Sequence, residues 1–300
     1  MVDILIIGAG PAGLTAAIYA CRAEKSTLVL EAKSYGGQII NTPDIANYPV
    51  APNISGFEFA TTLYNQAKDL GAQFKFEKAV SIEDGEVKRV HTAQNTYEAR
   101  AVILATGAEN RKLGIEGEDT LVGKGVSYCA TCDGNFFRKK DVAVAGGGNT
   151  AVEDALYLAD LANTVYLIHR RDSFRADAAL VSRLKAKENV HFVLNSNVTK
   201  LVAEGRLQAV EVTDKNTGEK TTLPIQGLFV AVGQVPENEN FKSLVELDAG
   251  GYAVAGENCR TKTPGVFVAG DNRTKEVRQL VTAAADGAVA ATEAIRFLGS

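Results

Sequence analysis

Two stretches of this chain carry the same hydrophobic pattern. Residues 3–8, DILIIG, form a short apolar run into the glycine turn GAGPAG at 8–13. Residues 141–146, DVAVAG, run likewise into GGGNTA at 146–151. Apolar runs this short, bounded by turn residues, predict strands buried on both faces, as in a parallel sheet. Each turn opens a helical pattern, and each helix leads to another apolar strand, Leu28–Leu30 and Val165–Ile168. The β-turn-α-β unit thus occurs twice, and self-similarity of this kind signals a repeated architecture.

Both halves also close alike. AVILA at 101–105 precedes Thr106–Gly107, and GLFVAV at 227–232 precedes Gly233. In between, Phe74, Phe76 and Val80, or Val210 and Val212, are spaced as half-buried strands. Ser55 and Glu58 suit a capping box for a helix from Gly56 to Leu70, stopped by Gly71. A further strand, GVFVAGD at 265–271, precedes a long helix from about Val277 to Leu298. That remainder is too small to fold alone, so it returns to the first domain. The expected fold is α/β: two Rossmann-like doubly wound nucleotide-binding domains, the second inserted into the first. The expected boundaries are 1–112 with 240–300, and 113–239, with chain crossings near 110–118 and 236–246 as a hinge.

Composition narrows the class. With 46% hydrophobic and 23% charged residues and 28 glycines, the chain has an ordinary α/β make-up. A net charge of −4 provides no global basic field, which argues against bulk nucleic-acid binding. The apolar stretch Ile4–Ala20 lacks a basic leader and is broken by Gly8, Gly10, Pro11 and Gly13. It is therefore read as strand, turn and helix rather than signal peptide or membrane span. No other segment approaches ~18 uninterrupted apolar residues, so a cytoplasmic protein is expected. Four cysteines, at 21, 129, 132 and 259, are too few for a disulfide-stapled secreted fold. Cys21 and Cys259 are read as small structural residues.

The glycine turns point to dinucleotides. Gly8 permits the tight turn, Gly10 lets the backbone approach a pyrophosphate, and Gly13 allows close helix–strand packing; helix amides then meet the phosphates. The second copy uses Gly146 and Gly148, with Ala151 in the third place. Counting 23 residues from Gly8 reaches Glu31, an acid placed to accept hydrogen bonds from ribose hydroxyls. The same count from Gly146 reaches His169, then Arg170 and Arg171, with Arg175 following. Cations in place of the acid welcome a 2′-phosphate, so the second site should prefer NADPH to NADH. The first suits an unphosphorylated ribose, of NAD or FAD.

Cys129 and Cys132 lie in CATCDG at 129–134, just before the second glycine turn. Their spacing fits a redox-active disulfide, a structural pair or half a zinc site. His91, His169, His191, Cys21 and Cys259 supply no second half at zinc-ligand spacing, so no metal is expected.

With these motifs in hand, the chain resembles the low-molecular-weight thioredoxin reductases of bacteria and archaea nearly end to end. The resemblance rests on GAGPAG, GGQ at 36–38, ATG at 105–107, CATCDG, GGGNTA, HRRDSFR at 169–175, GVFVAGD and RQLVTAAADGAVAA at 278–291. It implies NADPH-dependent reduction of thioredoxin or a thioredoxin-like protein through FAD and a Cys129–Cys132 disulfide, in a homodimer whose NADPH domain rotates between half-reactions. Cys132 would accept electrons at the flavin, Cys129 would attack the partner's disulfide as a thiolate, and Asp133 would be the acid–base group. FAD contacts would come from Gly8, Gly10, Pro11, Ala12, Gly13, Glu31, Gly37, Gln38, Asn47, Val80, Thr106, Gly107, Gly270, Asp271, Arg278, Gln279 and Leu280. NADPH contacts would come from Gly146, Gly148, Asn149, Thr150, Ala151, His169, Arg170, Arg171, Arg175 and Gly233. Asn149 and Thr150 stand where the family often has Asp and Ser, and Pro236–Glu237–Asn238 replaces a common Pro-Asn-Thr. Rival readings keep the chemistry with a glutaredoxin-like or peroxidase-linked carrier, or use the cysteines as a flavin-based redox sensor.

Overall fold

The computed structural model describes every residue except 43, 46, 51–53 and 300. The chain forms two compact units, Met1–Glu109 with Val235–Ser300, and Asn110–Gln234. Its α-helices are α1 (Pro11–Arg22), α2 (Gly56–Asp69), α3 (Ala130–Asp133), α4 (Asn149–Ala159), α5 (Ala178–Lys185) and α6 (Leu280–Gly299).

In the first unit, strand Val2–Ile7 lies parallel between Thr27–Leu30 and Thr96–Leu104 in a seven-stranded sheet. Thr96–Leu104 serves different neighbours along its length. Its start pairs antiparallel with Lys88–Thr92, and its end pairs parallel with Val266–Val268, which brings the C-terminal segment home. The apolar run divides between two faces because successive strand side chains point oppositely. Ile4 and Ile6 join the core that includes Leu14, Ala16, Ala290 and Ala294 of α1 and α6. Leu5 and Ile7 join Ile82, Val90, Phe241, Leu244 and Val245. Helices α1 and α6 approach so closely that a Cβ on Gly287 would fall 2.1 Å from the Ala12 carbonyl oxygen.

The second unit carries an all-parallel five-stranded sheet in the order Val190–Val193, Thr164–Ile168, Asp141–Gly146, Gly227–Ala231 and Val126–Ser127. Val142 and Val144 pack with α4, while Ala143 and Ala145 face Val198, Val210 and Val212. Those valines belong to an antiparallel sheet of Ser196–Glu204, Arg206–Asp214 and Lys220–Pro224.

Several expected details shift. The Ser55 hydroxyl caps α2 by accepting from the Glu58 N–H at 3.1 Å. Phe76 lies outside the strands and is exposed. Helix α6 starts at Leu280 rather than near Val277. The Arg278 guanidinium packs 4.0 Å from the Tyr252 ring centre and donates to the carbonyls of Asp271 and Arg273, which holds residues 277–279 out of the helix. The units divide at 109/110 and 234/235, a few residues before the expected 112/113 and 239/240. Phe241, Leu244 and Val245 are buried in the first unit, and Glu118 ties down its own loop by accepting from the Leu113 and Gly114 N–H groups. The segments 110–118 and 236–246 are thus largely packed. The crossings adjoin these segments, at a two-stranded ribbon of Ala108–Asn110 and Gln234–Pro236.

Candidate active site

The first glycine turn is shaped by close contacts. Gly8 has φ +108°, and a Cβ there would lie 2.2 Å from the Ala105 oxygen. A Cβ on Gly13 would lie 1.9 Å from the oxygen of Gly8, so the start of α1 sits directly on the strand end. Pro11 and Ala12 open α1 behind Gly10. The Gly36 N–H donates to the Ala9 oxygen at 2.8 Å, which brings Gly37 against Gly10, backbone to backbone. Glu31 folds back onto the turn: one carboxylate oxygen accepts from Ala9 N–H and the other from Lys33 N–H, each at 2.8 Å. Each oxygen keeps a second lone pair for a ribose hydroxyl.

Glu31, Gly8 and Thr106 line one cleft with Leu30, Ala79 and Phe241. Val80 is exposed on the strand Ala79–Glu83, and its neighbour Ala79 faces that cleft. Gln38 donates to the Ala108 carbonyl. Asn47 donates to Gln279 at 3.0 Å, just ahead of Leu280, while Ala46 beside it lies outside the described residues. Asp271 follows Gly270, and its Oδ1 is buried without a partner among the described residues. Burial pushes its carboxyl pKa up, against the pull of Lys275 and Arg278. An orphaned buried oxygen beside a glycine-lined backbone cradle fits a dinucleotide that brings hydroxyl donors.

In the second turn, a Cβ on Gly146 would lie 2.3 Å from the Ala231 oxygen, and the buried Ala151 methyl fills the space over it. Nothing lies within 4 Å of a Cβ on Gly148, which leaves that backbone open beside the start of α4 at Asn149 and Thr150. Asn149 accepts from the Asp177 N–H at 2.8 Å, and the Arg175 N–H donates to the Gly147 oxygen at 2.8 Å. Gly233 follows the last strand of the sheet, with φ +105°.

His169 corrects the expectation of a cationic histidine. It is buried, stacks on Phe174, and its Nε2 lies 3.1 Å from the Ser173 carbonyl oxygen, so Nε2 carries the hydrogen. Burial and the neighbouring arginines lower its pKa, despite the Ser173 bond, which keeps the ring neutral. A Cβ on Gly147 would enter this ring at 2.1 Å. The positive charge therefore comes from Arg170, Arg171 and Arg175, all exposed.

Cys129 and Cys132 are disulfide-bonded, with Cα atoms 5.3 Å apart, and both are half-buried. Cys129 is the N-cap of α3, and its Sγ accepts from the Cys132 N–H at 3.2 Å. Asp133 ends the same turn. Burial raises its pKa while a hydrogen bond from Ser127 opposes the rise, and its Oδ1 is buried without a partner among the described residues. A protonated carboxyl beside a disulfide can deliver a proton to a departing sulfur.

The sequence gives no signal for several supporting residues. Asn238, fully buried, donates to the carbonyls of Gly251 and Asn272. Asn272 donates in turn to the Leu104 carbonyl and the Thr106 hydroxyl, which fixes Thr106. Asp286 of α6 accepts two bonds from Arg273, at 2.7 and 2.8 Å, one from Lys275 at 2.9 Å and one from Gly270 N–H at 3.0 Å. Its burial would raise the pKa, but these cations outweigh that and hold it ionised. This cluster anchors the loop that presents Asp271. Charged residues in a loop and a helix interior carry no marker of such pairing.

Comparison with known proteins bears on both turns and the cysteines together. The pattern of the pyridine nucleotide-disulphide oxidoreductases matches residues 2–287. A thioredoxin reductase of Listeria innocua is 43% identical over 298 residues, covering 99% of this chain and 93% of its own. The crystal structure of thioredoxin reductase from Streptococcus pyogenes superposes with a TM-score of 0.95 at 41% identity, covering 100% of this chain and 98% of that one. Thioredoxin reductase from Lactococcus lactis, in its FR conformation, gives 0.69 at 40% identity, covering 100% and 99%. No helix among the described residues is long and apolar enough to cross a membrane.

Proposed function

The chain belongs to the pyridine nucleotide-disulphide oxidoreductase family, and from that premise we propose that it is an NADPH-dependent thioredoxin reductase. The Cys129–Cys132 disulfide would be reduced by NADPH by way of FAD, and the resulting dithiol would reduce thioredoxin or a thioredoxin-like protein. The observation that carries this reading is the half-buried disulfide with Asp133 beside it, in the unit that also bears the arginine-flanked glycine turn.

FAD, when bound, supplies a two-electron relay between a nicotinamide and a disulfide. The first unit would hold it: the Gly8–Gly13 turn would take the pyrophosphate, Glu31 the adenosine ribose, and Asp271 the polyol chain. Gly37, Gln38, Asn47, Thr106, Gly107, Gly270 and Gln279 surround these contacts. The second unit holds NADPH: Gly146–Ala151 takes the pyrophosphate, and Arg170, Arg171 and Arg175 take the 2′-phosphate. Cys129 attacks the partner's disulfide, Cys132 resolves the mixed disulfide, and Asp133 moves the proton. The nicotinamide site and the cysteine pair share one unit and need the same flavin, so they take turns by rotation about the two crossings. The enzyme works as a cytoplasmic homodimer.

A Cys132→Ser variant tests the core of this proposal. It should bind FAD and show rapid flavin bleaching with NADPH in a stopped-flow experiment, yet reduce no thioredoxin disulfide. Turnover with any of a panel of thioredoxins in that variant would overturn the assignment.

A further inference from the structure

Asp133 is held by a neighbour that lies outside the cysteine motif. Ser127 ends the short strand Val126–Ser127, paired with Gly227–Ala231, and its side chain is buried beneath the CATCDG turn. Its hydroxyl donates to Asp133 Oδ2 at 2.6 Å and accepts from the Cys129 N–H at 3.1 Å. A hydroxyl has one proton. The other acceptor in reach is the Cys129 carbonyl, at 3.3 Å, so the shorter bond to the carboxyl takes it. One oxygen of Asp133 is thereby engaged, and the other, Oδ1, is buried with no partner among the described residues.

We propose that Ser127 is a positioning residue for disulfide reduction: it pins Asp133 through Oδ2, so that Oδ1 is the oxygen that carries and delivers the proton. The inference rests on Asp133 being the acid–base group of the proposed reaction. In that reaction the Cys129 thiolate forms a bond to one sulfur of the partner and the partner's S–S bond breaks. The leaving thiolate takes the proton from Oδ1. The resulting carboxylate accepts the Cys132 thiol proton as Cys132 attacks Cys129, which closes the enzyme disulfide and expels the second partner sulfur. That sulfur takes the proton in turn, and water reprotonates Asp133. Two electrons move from the enzyme dithiol to the partner, and no other reductant is needed.

The bond from Ser127 favours the ionised carboxyl, so its loss raises the pKa of Asp133. The holoenzyme is assayed from pH 6 to pH 10 with NADPH and a purified thioredoxin, and protonated Asp133 is followed by its infrared carboxyl band. In Ser127→Ala the alkaline limb of kcat and the infrared midpoint should both move up by about one pH unit, with kcat about tenfold lower on the plateau and KM for thioredoxin unchanged. Ser127→Thr keeps the hydroxyl and should restore both values. A purely structural role would lower the rate at every pH and leave both midpoints in place, which overturns the proposal. Displaced midpoints in Ser127→Thr overturn it as well, and that variant decides the matter if Ser127→Ala does not fold. Asp133→Asn separates the two levels. Full turnover there defeats the reading of Asp133, whereas impaired turnover with an unmoved limb in Ser127→Ala defeats the role of Ser127 alone.

Discussion

The two glycine turns follow one backbone plan but are tied to their second strands by different chemistry. In the first, Glu31 reaches back and accepts from the Ala9 N–H, so a carboxylate is both the tie and the proposed ribose ligand. In the second, the tie is a neutral histidine ring laid over Gly147 and held by Ser173 and Phe174. The ring occupies the place of the acid without its charge, which leaves Arg170, Arg171 and Arg175 to set the sign of the site. Cofactor choice in such a turn is therefore a property of what folds back as much as of what points out.

That contrast can be broken most severely at the third turn position. Gly13→Ala forces a methyl onto the Gly8 carbonyl and should cost about 3 kcal/mol with loss of bound FAD, measured by denaturation and flavin absorbance. The converse change, Ala151→Gly, should cost only about 1 kcal/mol. Next in size, replacing Arg170, Arg171 and Arg175 together with Gln should lower the preference for NADPH over NADH roughly 100-fold in kcat/KM, with flavin content unaltered. Gly147→Ala should destabilise by about 1–2 kcal/mol through collision with the His169 ring, and adding His169→Ala should recover most of the loss.

The smallest effect concerns matched positions on α1 and α4. Ala16 is fully buried, and its counterpart, three residues beyond Ala151, is Asp154. Burial, then Glu153, raises the Asp154 pKa to about 7. The folded state thus binds a proton that the unfolded state releases, and stability falls as pH rises from the ordinary carboxyl range to about 7. Asp154→Asn should match the unaltered chain in Tm near pH 4 and exceed it by a margin that grows up to pH 7 and then levels off.

The plan of the fold was legible because it is written in local patterns. Short apolar runs, two glycine turns and an unpaired terminal strand suffice to infer two α/β units with one interrupting the other. The positions of the glycine turns and the cysteine pair were legible for the same reason, since each motif is contiguous. What escaped depends on which side chains the fold buries and brings together, whether near or far in sequence. The charge of His169 is set by burial and the neighbouring arginines, against the bond to Ser173. Asn238 matters only because Asn272 and Thr106 meet it, and Asp286 because Arg273 and Lys275 do. Ser127 precedes the cysteine motif and has no signature of its own. The crossings at 109/110 and 234/235 lie at the leading edges of the expected segments, because Phe241, Leu244 and Val245 pack the stretch after the second crossing into the first unit.

The tight seat of α6 against α1, where Gly287 meets the Ala12 backbone, also orders events at the ribosome. The glycine turn at residues 8–13 leaves the ribosome well before the helix that completes its core. At ~5–20 residues per second, the interval between residues 109 and 280 is on the order of 10–30 seconds. The inserted unit is fully translated within that interval and can fold as it leaves the exit tunnel. The unit whose translation starts before the inserted one is thus completed after it, and its apolar helix α1 must be kept from wrong partners until α6 arrives.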